Sequence, residues 1–245
     1  MLVAAAIAVF LGATLQSATG FGFALVAAPV LFAVATPEEA VTTVIVLSTV
    51  TGVMLLAFDR NHAVILRRPV VGMLAGAVPG AIAGVFVLEA ASKEALQVVV
   101  GVGVIAAAAM QARRAVRVDP HELAGAPAIG LLAGILTTTT SLNGPPLALW
   151  LQHAGVAARE FRATLAASFI GLNVIGLLAL LALAGGEVGR GAGDVAILVV
   201  VAIAGQFAGR EVFHRLDAER FRLIGIALAV ISGAATLGIG LATLL

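Results

Sequence analysis

The 245-residue chain contains no cysteine, which excludes disulfides, thiolate metal sites and a cysteine nucleophile. Charge is nearly as scarce, with Asp, Glu, Lys and Arg making up 11% of residues against about 25% in soluble domains. The net charge is +1, and the basic residues are dispersed rather than gathered in a stripe, which argues against a nucleic-acid partner. The four histidines, His62, His121, His153 and His214, fall in or beside loops, and no two stand at a metal-ligand spacing. No carboxylate lies in the middle of an apolar stretch: Glu38, Glu39, Glu89, Glu94, Glu187, Asp194 and Glu211 all sit near segment ends. A cation site built on carboxylates and a buried proton relay therefore have no obvious carrier. An intramembrane enzyme would need a base or metal beside a nucleophile such as Ser17 or Ser141, and the sequence offers neither. There is no P-loop glycine-lysine motif. The expectation is a protein that is not an enzyme and carries no cofactor and no metal.

What is abundant is apolar sequence, at 61% of residues with a mean hydropathy of +1.14. Hydropathy and breakers together delimit ten apolar segments, near 1–19, 21–36, 40–58, 69–88, 95–112, 123–140, 145–154, 163–184, 194–209 and 222–244. The second and seventh fall short of the roughly 20 residues a crossing helix needs, so they read as half-helices or re-entrant segments. The first resembles a signal peptide only superficially. The first basic residue of the chain is Arg60, so the n-region is missing and a retained membrane segment is expected.

Lys and Arg in short loops stay cytoplasmic, and here they are distributed by parity. The connections after segments three, five, seven and nine hold 12 of the 14 basic residues: Arg60, Arg67, Arg68; Arg113, Arg114, Arg117; Arg159, Arg162; and Arg210, Arg215, Arg220, Arg222. Lys93 and Arg190 lie on the other side. Both termini are expected outside, and that holds whether the first two segments cross or form a hairpin. Asp59 with Arg60 reads as an interfacial ion pair, or as a cytoplasmic gate.

Two glycine-rich interruptions lie 122 positions apart: Gly20, Phe21, Gly22, Phe23 leading to Pro29, and Ser141, Leu142, Asn143, Gly144 leading into Pro145 and Pro146. At the same offset Gly12 maps onto Gly134 and Thr42 onto Thr164, while Gly80 and Gly84 map onto Gly205 and Gly209 at 125. Five segments per half is odd, so the second half runs opposite to the first. The expected fold is an all-α polytopic membrane protein of two inverted repeats, 1–118 and 119–245, each with about five hydrophobic segments (8–10 transmembrane or re-entrant helices) and broken at its Gly-rich motif. Small residues four apart (Gly76, Gly80, Gly84; Gly205, Gly209) read as close-packing surfaces between membrane helices.

Backbone interrupted at membrane depth survives only where it is buried in protein or lines a polar cavity, and paired interruptions mark a binding site. After each break a helix begins, presenting unpaired N–H groups and about half a positive charge. Two such ends would cradle a small anion without a buried Arg or Lys. The flanking polar residues are hydroxyls and amides, the donors an oxyanion needs: Gln16, Ser17 and Thr19 before the first break, Thr137, Thr138, Thr139, Thr140, Ser141 and Asn143 at the second. Facing segments add Thr42, Thr43, Ser48, Thr49, Thr51, Thr164, Ser168 and Asn173. For any one hydroxyl the competing reading is a bond to its own helix carbonyl. Trp150 reads as an interfacial anchor or, less directly, a ligand-facing group. The candidate substrate residues are Gln16, Ser17, Thr19, Gly20, Phe21, Gly22, Phe23, Thr139, Thr140, Ser141, Asn143, Gly144 and Pro145.

The run Gly20, Phe21, Gly22, Phe23 to Pro29 and Leu31, repeated as Asn143, Gly144, Pro145, Pro146, Leu147, resembles the duplicated signature of the sulfite exporter TauE/SafE family, also called TSUP anion permeases. The likeness covers nearly the whole chain, including the two halves, the small-residue helices and the short basic stretch Arg215 to Arg222 before the last helix. It implies a bacterial inner-membrane carrier that moves sulfite, sulfonates or related small organic anions, often outward. Partners are then a small anion and the bilayer, with a homo-oligomer left open, as are the coupling ion and an anion channel sharing the same site. The second copy departs from the family habit of consecutive glycines by placing Ser141 and Asn143 there, which either narrows the site or adds donors.

Overall fold

The computed structural model describes residues 2–59, 64–112, 125–153, 156, 158–184, 192–215 and 218–244. These form ten helices: α1 Leu2–Thr19, α2 Phe23–Val34, α3 Pro37–Asp59, α4 Arg67–Ala90, α5 Lys93–Ala112, α6 Ala126–Thr139, α7 Gly144–His153, α8 Ala158–Leu183, α9 Ala192–Arg215 and α10 Ala218–Leu244. There is no strand among the described residues, and each helix matches one of the ten apolar segments. Arg60, His62, Arg113, Arg114, Arg117, His121, Glu187 and Arg190 lie outside the described residues, as do the side chains of Asp59, His153, Arg159, His214, Arg215, Arg220 and Arg222. α8 begins five residues before its apolar segment and α9 ends six after it. Hydropathy stops at charged residues such as Glu160 and Arg210, whereas a helix passes through them into the interface at no backbone cost.

Local signals set several ends. Thr36 and Glu39 form a capping box on α3: Glu39 N donates to Thr36 Oγ1 at 3.3 Å and Thr36 N to Glu39 Oε2 at 3.4 Å. Ser92 Oγ accepts from Ala95 N at 3.2 Å to start α5. Gly20 and Gly22, at φ 89° and 103°, stop α1 and turn the chain into α2.

Among the described residues, five helices are long and apolar enough to cross a membrane by length and composition. Large apolar side chains stand exposed around the perimeter, Val71, Phe86, Val102, Leu178, Val200 and Ile231 among them. An apolar belt of this extent on the outside is the surface a bilayer covers, and the chain is a multi-pass membrane protein.

The strongest packing joins the first half of the chain to the second: α4 lies along α6, α1 along α9, α5 along α10, and α3 crosses α8. Glycines permit the closest of these approaches. A Cβ on Gly76 or Gly80 would strike the Pro127 and Leu131 carbonyls of α6, and one on Gly205 or Gly209 the Phe10 and Thr14 carbonyls of α1. One apolar cluster wraps α2 (Phe23, Leu25, Leu31, Phe32) with residues of α1, α3, α5 and α9. A second wraps α7 (Leu147, Ala148, Leu151) with residues of α4, α6 and α8. The two short helices are thus enclosed by protein, and α2 is further held by Gln97 Nε2 and Thr236 Oγ1, which donate to the Phe32 and Pro29 carbonyls at 2.9 Å each.

Candidate functional site

The Leu15, Gln16, Ser17 and Ala18 carbonyls in the last turn of α1 all have partners, which helps a helix to end in the interior. Thr19 Oγ1 donates to Leu15 O (2.9 Å), Gly20 N to Gln16 O (2.7 Å), Arg162 Nη2 to Ser17 O (3.1 Å) and Arg162 Nη1 to Ala18 O (2.9 Å). Arg162 comes from the first turns of α8 in the other half. In the sequence it counted only as a loop charge. Its guanidinium sits at the negative end of the α1 dipole and offsets it beside the break. Phe21 turns away to meet Phe161 edge-on, with ring centroids 6.4 Å apart.

α2 then starts without a side-chain cap, because its N-cap residue is Gly22. At the second break Ser141 takes the left-handed conformation (φ 59°), held by its hydroxyl over Val41 O at 3.4 Å and Thr137 O at 3.3 Å. α7 begins Gly144, Pro145, Pro146. Proline suits a first turn but has no N–H, so of these three residues only Gly144 offers one. The positive end of α2 is therefore richer in donors than that of α7.

The two breaks meet. Gln16, Gly22, Phe23, Ala24 and Leu25 from the first half and Asn143, Gly144, Pro145 and Phe169 from the second line one cavity, with Ser48 of α3 at its side. Its volume is ≈20 Å³, room for about one water. Gln16 is 1% exposed and its Oε1 accepts from Thr51 Oγ1 at 2.9 Å, which leaves the NH2 group to serve the cavity. Asn143 spends one N–H on Thr137 Oγ1 at 2.8 Å and keeps a second. Among the described residues of the lining there is no Asp, Glu, Lys or Arg.

Of the residues singled out in the sequence, Gln16, Gly22, Phe23, Asn143, Gly144 and Pro145 are brought together here. Ser17, Thr19, Gly20, Phe21, Thr139, Thr140 and Ser141 flank the cavity without lining it. Their hydroxyls go to backbone carbonyls: Ser17 to Gln206 (2.8 Å), Thr19 with its one proton shared between Leu15 and Phe21 (2.6 Å to the latter), Thr139 to Ile135 (2.8 Å) and Thr140 to Leu136 (3.3 Å). Among the facing hydroxyls, Ser48 reaches the lining, whereas Thr49 and Ser168 bond back to their own helices. Thr164 Oγ1 accepts from Leu66 N at 3.1 Å and fixes the start of α4. Sequence reasoning missed Phe169 and Arg162, which lie far along the chain from the breaks they complete. Ala24 and Leu25 belong to the first turn of α2.

Comparison with curated proteins and with solved structures gave no match. The family model described as sulfite exporter TauE/SafE matches residues 4–236, nearly the full length and including both breaks. A polytopic chain whose two interrupted helices close on one uncharged, donor-lined cavity thus belongs to the sulfite exporter TauE/SafE family of membrane transporters.

Proposed function

We propose that this protein is a secondary carrier of small sulfur-containing or organic oxyanions, in the export direction, working by alternating access at the cavity between the starts of α2 and α7. The observation that carries the reading is that both breaks line the same cavity. Helix length supports a mid-membrane position: the 12 residues of α2 and 10 of α7 rise about 18 and 15 Å, each about half of a 30 Å hydrocarbon core. Half a charge at the α2 terminus, acting on a monoanion about 4 Å away at an effective dielectric near 20, is worth about 2 kcal/mol. Uncapped N–H groups and the Gln16 and Asn143 amides supply hydrogen bonds. This is enough to hold an oxyanion loosely, as a carrier must.

The halves 1–118 and 119–245 are proposed as inverted repeats in the bacterial inner membrane, both termini periplasmic. The packing supports a twofold relation, since the first helix of each half lies along the fourth of the other (α1 with α9, α6 with α4), while third meets third and fifth meets fifth. A channel would share the site, and trans-stimulation separates the two.

In proteoliposomes, external sulfite should accelerate release of internal labelled sulfite, because only a carrier shows trans-stimulation. Thermal-shift screening against sulfite, sulfate, thiosulfate, sulfoacetate and taurine should show selective stabilisation. If no anion raises Tm and none is carried, the reading fails; flux without trans-stimulation would make the protein a channel.

A further inference from the structure

Among the described residues, two buried side chains have hydrogen-bonding atoms without a partner. Gln206 of α9 is 0% exposed with both Nε2 and Oε1 unpartnered, and Asn173 of α8 is 2% exposed with Nδ2 unpartnered. Such groups are costly in a water-poor interior and are kept for a reason.

Packing does not supply that reason for Gln206. At the 125-residue offset its counterpart in the first half is Ala81. The two positions receive the same contact from the neighbouring helix, Ser17 Oγ donating to Gln206 O at 2.8 Å and Thr138 Oγ1 to Ala81 O at 3.0 Å. An alanine, 1% exposed, fills the place in one half. The amide in the other has no counterpart in that half. Asn173 stands likewise opposite Thr51 at offset 122, but Thr51 has Gln16 as its partner.

Both residues neighbour elements that line the cavity. The α1 turn that touches Gln206 carries Gln16, and Asn173 lies one helical turn from Phe169, on the same face of α8. A cavity of ≈20 Å³ must widen before a four-heavy-atom oxyanion enters. The groups met on the way have to replace the anion's hydration.

We propose that Gln206 and Asn173 are anion-contacting residues of the open states, donating from Nε2 and Nδ2 to an oxyanion as it enters or leaves the central cavity. The inference rests on the carrier reading above. The test uses full-length protein with Gln206→Met and Asn173→Leu, which keep bulk and remove the amide. Sulfite countertransport in vesicles should slow at least tenfold in each, while Tm without anion stays equal or rises, since an unsatisfied polar group has been removed. Flux within twofold of wild type overturns the role of that residue. Lost flux with a lowered Tm also overturns it, because the amide would then be structural. Wild-type vesicles separate the two failures: absent wild-type countertransport sinks the carrier reading itself, whereas active wild type with unaffected variants sinks only this inference.

Discussion

Gly144→Ala isolates the cavity from the fold. Gly144 has no left-handed backbone to protect, and a Cβ built on it meets only Phe169 Cζ at 3.7 Å, an ordinary van der Waals contact. Gly→Ala at a compatible position stabilises by about 0.4–1 kcal/mol through the unfolded chain, so Tm should hold or rise. The new methyl nevertheless enters a cavity of ≈20 Å³, about the space of one water, beside the only N–H in the first three residues of α7. Losing one hydrogen bond to a charged oxygen costs about 1.5–3 kcal/mol, which is roughly 10- to 150-fold in affinity or flux. The assays are thermal unfolding in detergent and sulfite countertransport in vesicles, with Gly144→Val as the larger step in a graded series. A Gly144→Ala protein that transports within twofold of wild type would refute the placement of the substrate between the two helix starts.

Gly22→Ala should behave differently, because φ 103° and Leu15 Cδ2 at 3.0 Å oppose a side chain; about 1–2 kcal/mol is expected, a fall of roughly 2–8 °C in Tm. Arg162→Ala strips two hydrogen bonds from the end of α1 and uncovers its negative dipole, so both Tm and sulfite affinity should drop. Arg162→Lys restores the charge without the fork that spans two carbonyls, and should recover affinity more than Tm. Because the chain has no cysteine, single substitutions report topology directly: Glu38→Cys should react with an impermeant maleimide added outside intact cells and Val64→Cys only after permeabilisation. The reverse pattern would invert the proposed orientation.

Much of the architecture was legible because the bilayer imposes a one-dimensional rule. An apolar run with breakers at its ends becomes a helix wherever it later packs, so ten segments predicted ten helices and the shortness of α2 and α7. The breaks were legible for a related reason, since Gly20, Gly22 and the Pro145–Pro146 pair act on the chain locally. The hydroxyls were not. Ser17, Thr139 and Thr140 look like anion donors in sequence, yet each finds a carbonyl within reach, and whether a hydroxyl faces its own helix, a neighbour or a cavity depends on helix rotation that hydropathy does not encode.

Composition alone determined that this chain lives in lipid, and the repeated glycine breaks determined that it has two interrupted helices; both follow from near-neighbour chemistry in a solvent that forbids unpaired backbone. Only the tertiary structure decided that the breaks share one cavity, that Arg162 closes α1 from 144 positions away, and that Gln206 is left with an unsatisfied amide. Those facts depend on helices from opposite halves meeting at particular rotations, which the close approach of α1 to α9 and α4 to α6 sets and no local stretch of sequence contains.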